Sequence, residues 1–144
     1  MARLAAYISF PGNTREAFTY YQEVFGGELN IMGYEGMDTS GFPVQPGPDD
    51  VGHASLLLPG GEIAGGDVVD GKDYPLRDTA YSLLYTLDDP KEARALVQKL
   101  VDDGGSEGMP FEMAPWGGWY GQAFDRFGVM WAFSVAAGDP QDQR

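Results

Sequence analysis

The 144-residue sequence has no cysteine, one histidine and few basic residues. Without cysteine the chain forms neither disulfides nor thiolate metal sites, and it has no cysteine nucleophile. The single imidazole, that of His53, excludes a multi-histidine metal site. Nine Lys and Arg residues against 22 Asp and Glu residues give a formal charge of −13, which repels nucleic-acid phosphates and anionic membrane surfaces. We therefore expect neither nucleic acid nor a membrane as a partner.

Long apolar runs are also missing, and none approaches the length of a membrane span. The apolar N-terminal segment LAAYISF meets Pro11-Gly12 too early for a signal peptide. The lack of cysteine suits a reducing compartment. We expect a cytoplasmic protein of one domain, spanning residues 1–144, that is long enough to bury a core.

Two segments of the chain repeat one plan, REAFTYYQEVFGGEL at residues 15–29 and KEARALVQKLVDDGGSE at residues 91–107. In each, apolar residues recur at the spacing of one helix face before a glycine pair, which predicts an amphipathic helix that ends at glycine. Asp89-Pro90 is typical of a helix cap followed by a first-turn proline. The predicted buried residues are Ala17, Phe18, Tyr21, Val24 and Phe25 in the first helix, and Ala93, Leu96, Val97 and Leu100 in the second.

Strands surround each predicted helix in the same order. They are expected near residues 4–10, 28–34, 53–58 and 62–68, and again near 80–87, 108–114, 118–124 and 129–135, with a Gly- and Pro-rich loop at 35–50 and an unpaired tail, GDPQDQR. The pattern predicts two tandem βαβββ modules, at about 4–70 and 80–136. One module alone leaves a sheet face uncovered, so we expect an α+β fold with an eight-stranded curved mixed sheet, helices on its convex side and a cup on its concave side.

The repeat also predicts which way side chains point. Glu16 matches Glu92 at a separation of 76 residues, and Gly61 matches Gly128 at 67. The second separation aligns His53 with Tyr120 and Asp67 with Ser134. Strand alternation then predicts that His53 lies under a helix, in the core or at a dimer interface, whereas Asp67 faces the cup. An acid–base pair of His53 and Asp67 across the hairpin is the alternative.

Three stretches of the chain carry a family resemblance: YISFPGNTREAFTYYQEVFGGEL, GHASLLLPGGEIAGGD and WGGWYGQAFDRFGVMW. They resemble the PhnB-like branch of the vicinal oxygen chelate superfamily, which includes glyoxalase I, extradiol dioxygenases and bleomycin-resistance proteins. The resemblance covers nearly the whole chain and implies an open barrel of the glyoxalase type, commonly in a homodimer. PhnB-like proteins often carry a methyltransferase label, but the sequence has no Gly-rich strand-to-helix turn with the acidic residue that a methyl donor's nucleoside needs.

Enzymes of the superfamily that the chain resembles hold a divalent metal with His and Glu side chains from four strands. The resemblance places these positions at Ala6, Gly65, Ser82 and Ala132. These residues supply no imidazole and no carboxylate, the donors that transition metals require in such sites. We therefore expect no metal and no cofactor, and Asp67 is the one carboxylate close enough to enter through a shifted alignment.

The last strand and its neighbour supply the predicted binding surface. Alternation places Val129, Trp131, Phe133 and Val135 against a helix, and Met130, Ala132 and Ser134 toward the cup. Trp119 is expected to pair onto the cup face. The predicted ligand-binding residues are Asp67, Ser82, Trp119, Met130 and Ser134. A pocket with a floor of small residues and walls of Trp and Met suits a flat or apolar ligand.

Three functions remain open from the sequence. The first is a homodimer that binds a small molecule without a metal, in the sequestering manner of the bleomycin-resistance proteins. The second is a glyoxalase-type lyase, isomerase or dioxygenase that uses a divalent metal or a displaced set such as His53 and Asp67. The third is a dimeric interaction module with no ligand. No catalytic residue is predicted, so the sequence does not decide whether the chain is an enzyme.

Overall fold

A computed structural model describes residues 2–137, which form two compact units that divide between Tyr74 and Pro75. The first unit contains β1 (Ala6–Phe10), α1 (Thr14–Phe25), β2 (Glu28–Met32), β3 (His53–Leu58) and β4 (Gly61–Asp67). The second contains β5 (Leu83–Leu87), α2 (Pro90–Asp102), β6 (Ser106–Met113), β7 (Trp119–Phe124) and β8 (Met130–Val135). Both units thus have the predicted βαβββ order. The GDPQDQR tail lies outside the described residues.

Each unit contains one four-stranded mixed sheet. The strand order is β1-β4-β3-β2 in the first and β5-β8-β7-β6 in the second. In both, the first strand of the unit runs parallel to the last, and the remaining pairs are antiparallel. The α+β class is confirmed, with the eight strands divided between two sheets. Among the described residues, no helix has the length and apolarity needed to cross a bilayer.

Helix α1 covers one side of the first sheet with aromatic side chains. The ring of Phe18 lies edge-on to that of Phe10, with 6.1 Å between centroids, and 5.8 Å from that of Tyr21. Val24 and Phe25 are only half-buried. The buried residues of the helix are Thr14, Ala17, Phe18, Tyr20 and Tyr21. The predicted buried face is therefore correct over most of the helix.

Helix α2 begins as the sequence predicts. The side chain of Asp89 accepts a hydrogen bond of 2.9 Å from the backbone N–H of Lys91, and Pro90 is the first helical residue. The helix buries Ala93, Val97 and Leu100 against the second sheet, while Leu96 is half-buried. Asp–Pro therefore caps the helix because the carboxylate satisfies a first-turn donor and proline needs none.

A buried carboxylate, that of Asp125, organises the turn between β7 and β8. Its Oδ1 accepts hydrogen bonds from the backbone N–H groups of Phe127 and Val129, at 2.9 and 3.0 Å. Its Oδ2 accepts one from the indole Nε1–H of Trp131, at 3.0 Å. Trp131 is only 2% exposed. The indole thus belongs to the core of the second unit, in agreement with its predicted packing role.

A second buried carboxylate, that of Asp67, joins three segments of the first unit. Its Oδ1 accepts hydrogen bonds from the backbone N–H and the hydroxyl of Thr14, at 3.0 and 2.6 Å. Its Oδ2 accepts one from the backbone N–H of Val51, at 2.8 Å. Asp67 therefore lies on the side of the sheet that α1 covers, and the prediction that it faces a cup is wrong.

The register of the repeat explains the error. Gly65 of β4 pairs with Ala54 of β3, and Phe133 of β8 pairs with Gly121 of β7. Equivalent residues of the two units are therefore 67 positions apart in β3 and β7 (121 minus 54) but 68 positions apart in β4 and β8 (133 minus 65). The second hairpin has one more residue between Phe124 and Met130 than the first has between Leu57 and Glu62. Because neighbouring strand residues point to opposite faces, this one residue reverses the predicted direction of Asp67.

Replacing Asp67 by Asn should destabilise the first unit without changing its size or fold. The amide nitrogen would face either the donors of Thr14 or the N–H of Val51, so at least one buried donor loses its acceptor. We expect the free energy of unfolding to fall by about 2–4 kcal/mol in urea titrations.

The matched control is Asp78→Asn. Asp78 is exposed and has a positive φ of 62°, a conformation that Asn also adopts readily, so this variant should unfold like the wild type. Equal stability of the Asp67→Asn and Asp78→Asn variants would contradict the role assigned to Asp67.

Candidate functional site

The candidate site lies on the side of each sheet turned away from its own helix, which we call the far face. In the second sheet, Ala132 pairs with both Leu84 and Gln122, so these side chains share one face. Arg94 of α2 lies over the rings of Phe111 and Trp119, which marks the opposite face as the one that the helix covers. The far face of the second unit consists of Leu84, Thr86, Tyr120, Gln122, Phe124, Met130, Ala132 and Ser134.

Part of the predicted binding set lies on this far face. Met130, Ala132 and Ser134 point away from α2, as strand alternation predicts. Ser82 is exposed and stands one residue before β5, in the same alternation as Leu84. The structure thus brings Met130 and Ser134 to one face of one sheet, with Ser82 just before its edge strand β5.

Trp119, in contrast, lies on the helix side, and the prediction that it lines the cup is wrong. It pairs with Val135, which shares the face of Trp131 and Phe133. Its ring stacks on that of Phe111, with centroids 5.8 Å apart and planes inclined by 19°. The neighbouring residue, Tyr120, takes the far-face position instead.

An aromatic and amide surface that the sequence did not single out dominates the far face of the second unit. The ring of Trp116, 71% exposed, lies edge-on to that of Tyr120 with 6.0 Å between centroids. Gln122 donates a hydrogen bond of 2.9 Å from Nε2 to the hydroxyl of Tyr120. The guanidinium of Arg77 lies 4.6 Å from the ring centroid of Phe124. Strand alternation in β7 places Tyr120, Gln122 and Phe124 on the same face as Met130. The sequence alone does not give the pairing of β7 with β8 on which this prediction depends.

The expected metal positions divide between the two sides of the sheets. Gly65 faces α1, since an added Cβ would lie 3.0 Å from the Phe18 ring, and Ala6 follows the same alternation as Phe10. Ala132 belongs to the far face, and Ser82 lies just before β5. The first-unit residues equivalent to Ser82 and Ala132 are Ala5 and Ala64. Equivalent residues are 77 positions apart in β1 and β5 (83 minus 6) and 68 positions apart in β4 and β8.

The corrected positions therefore still lack metal donors. Ala5, Ala64 and Ala132 have no donor atom, and the hydroxyl of Ser82 alone does not hold a transition metal. Within residues 2–137, no three His, Cys, Asp or Glu side chains converge on a point where they could bind a metal ion. The residues present do not fit the metal site of the related enzymes.

The far face of the first unit carries a second group of aromatic side chains. His53 is exposed there, not buried under α1, and its ring centroid lies 6.1 Å from that of Tyr7. Asp67 lies on the other side of this sheet, so the two do not form the suggested acid–base pair. His53 does align with Tyr120, as predicted, but both residues belong to the far face.

Two tyrosines of the first unit have perturbed acidity, Tyr7 beside His53 and Tyr34 beside Gly52. Partial burial, followed by the negative charge of Asp67, raises the pKa of Tyr7 above its ordinary value. Partial burial, followed by the charges of Tyr7, Asp67 and Asp50, likewise raises the pKa of Tyr34. Both phenols are therefore neutral hydrogen-bond donors at physiological pH.

Comparison with known proteins supports one family over nearly the whole chain. Protein YjdN of Escherichia coli (strain K12) is 26% identical over 149 residues, covering 95% of this chain and 97% of that protein. The crystal structure of protein PA1353 from Pseudomonas aeruginosa has a TM-score of 0.76 at 29% identity, covering 96% of this chain and 100% of that chain.

A structure from Bacillus cereus, described as a putative 3-demethylubiquinone-9 3-methyltransferase and PhnB protein, has a TM-score of 0.68 at 27% identity. It covers 94% of this chain and 100% of that one. The model of the Glyoxalase/Bleomycin resistance protein/Dioxygenase superfamily matches residues 3–133. On this match, which spans both units, the chain belongs to that superfamily.

Proposed function

We propose that this protein binds a small, flat organic molecule without a metal, using the far face of the second unit. The observation that supports this most directly is the aromatic and amide surface of Trp116, Tyr120, Gln122 and Phe124, which adjoins Ala132, one of the positions where the resemblance implies a metal ligand. Trp116 is exposed and the other three are half-buried, and aromatic rings next to a few polar groups are typical of ligand-binding sites.

The polar groups of this face define the ligand further. In the bond between Gln122 and Tyr120 the phenol oxygen accepts, so the phenol proton is left to donate to a ligand. Ser134, half-buried on the adjoining strand opposite Tyr120, contributes a hydroxyl. A planar molecule with a carbonyl or hydroxyl oxygen satisfies both requirements, since its ring stacks and its oxygen accepts a hydrogen bond.

The alternative function, a metal-dependent lyase, isomerase or dioxygenase, has less support. It needs several imidazole or carboxylate donors around one cation, and Ala5, Ala64, Ser82 and Ala132 do not provide them. Methyl transfer, which the description of the Bacillus cereus protein names, lacks support as well, because this sequence has no nucleoside-binding turn of the required kind.

Two further features accompany the proposal. We propose a homodimer, since β5 is an edge strand whose Leu84 is 62% exposed and whose preceding Tyr81 is 86% exposed. We also propose a cytoplasmic location, because a chain without cysteine needs no oxidising compartment. Sedimentation equilibrium tests the first feature, and a monomer at all concentrations would contradict it.

Naphthol, indole and quinoline serve as probes of the binding surface. A probe at a hundred times its dissociation constant should stabilise the protein by about 2.7 kcal/mol in thermal unfolding. Tyr120→Ala removes the central ring and should weaken binding roughly tenfold. Quenching of tryptophan fluorescence that is lost in a Trp116→Phe variant reports the same event, because that indole contacts Tyr120.

Trp119→Phe is the matched control for this experiment. It changes the adjacent residue, whose ring lies on the opposite side of the sheet and stacks on Phe111. Probe binding should survive this change. Equal losses in the Tyr120→Ala and Trp119→Phe variants, or no binding of any probe to the wild type, would contradict the proposal.

The metal content of the purified protein separates the binding function from the enzymatic one. Protein prepared without added metal should contain much less than one equivalent of Zn, Ni, Mn or Fe by elemental analysis, and dialysis against a chelator should leave the unfolding temperature unchanged. A stoichiometric metal whose removal lowers that temperature would favour the enzyme, since metal that binds only the folded state stabilises it.

A further inference from the structure

Three aromatic side chains cluster on the far face of the first unit: Tyr7, Tyr34 and His53, which we call the tyrosine–histidine cluster. Tyr7 is 56% exposed, and its ring centroid lies 6.1 Å from that of His53 with the planes inclined by 31°. The ring of Tyr34 is held in place by Phe42, which lies edge-on at 5.5 Å. Tyr7 and His53 are therefore exposed to solvent, while Tyr34 is half-buried beside them.

Glycine forms the floor beneath these rings. A Cβ added at Gly66 would lie 2.7 Å from the hydroxyl of Tyr7 and 2.9 Å from the carbonyl oxygen of Gly52. A Cβ added at Gly52 would lie 3.2 Å from two ring atoms of Tyr34. A side chain at Gly66 would therefore force backbone to move, whereas one at Gly52 would require only a small shift of Tyr34.

Carboxylates surround the cluster with negative charge. Asp67 is buried at the end of β4, and its charge acts on both tyrosines. Asp50, held by the backbone N–H of Gly47 at 2.7 Å, acts on Tyr34 as well. Residues 1–74 contain three basic and eleven acidic residues, a formal charge of −8 (3 minus 11). This field repels an anionic ligand and attracts a cation.

We propose that the tyrosine–histidine cluster binds an organic cation, an alkylated or quaternary ammonium group, against the faces of Tyr7 and Tyr34. Aromatic faces attract such cations through their quadrupoles, and a group without N–H donors needs no hydrogen-bond acceptors in return. The nearby carboxylates add long-range attraction without contacting the ligand. This inference uses residues of the first unit, whereas the proposed flat ligand uses residues of the second.

Choline and its neutral isostere, in which a quaternary carbon replaces the quaternary nitrogen, test the proposal on the intact wild-type protein. His53 is the only histidine, so its imidazole proton resonances report on this cluster alone. Choline should shift these resonances in a saturable way, whereas the isostere should bind at least roughly tenfold more weakly. Equal binding of the two compounds, or no shift with choline, would overturn the proposal.

Variants of Tyr34 separate the ring from the hydroxyl. Tyr34→Phe keeps the aromatic face and should keep choline affinity within about threefold, while Tyr34→Leu should weaken it roughly tenfold. Tyr74→Leu, which removes an exposed tyrosine outside the cluster, is the matched control and should bind like the wild type. A loss in Tyr34→Phe as large as in Tyr34→Leu would overturn the cation–ring contact in favour of a hydrogen-bonded ligand.

Discussion

The carboxylate of Asp67 is the contact on which the first unit depends. It satisfies two donors at the start of α1 and one at the end of the long 35–50 connection. The backbone of Asp67 also donates to the carbonyl of Val51, at 2.9 Å, so side chain and main chain fasten the same segment. Gly52 and His53 directly follow Val51 in the chain. The hydrogen bonds of Asp67 on the helix side of the sheet therefore fix the backbone that leads to His53 on the far face.

The second unit also contains a buried, hydrogen-bonded carboxylate, but at a different position. Its buried carboxylate, Asp125, lies in the hairpin turn and binds that turn to the indole of Trp131. The residue equivalent to Asp67 in the second sheet is Val135, which has no polar group. The two halves thus share strand order and pairing while each uses its own polar anchor, as is expected when burial demands a fully bonded carboxylate but not a particular location.

Much of this fold could be predicted from the sequence, because amphipathic spacing, the Asp89-Pro90 cap and glycine stops act locally. Side-chain direction could not be predicted, since it depends on turn lengths that differ between the units by single residues. The connection from Phe10 to Asn13 is one residue longer than that from Leu87 to Asp89, and the hairpin of Asp125 is one residue longer than its counterpart. Each difference exchanges the two faces of a strand. Hence Met130 and Ser134 were placed correctly within one strand, whereas Asp67 and Trp119 were not.

The floor of the tyrosine–histidine cluster has an evolutionary consequence. At Gly66 the barrier to a side chain is not only the Tyr7 phenol, which can swing away, but also the main-chain oxygen of Gly52, which cannot. One methyl group there would lift the ring or push apart two neighbouring segments of backbone. During evolution, a single glycine-to-alanine change at position 66 could therefore abolish binding at this surface even though every aromatic residue of the cluster was retained.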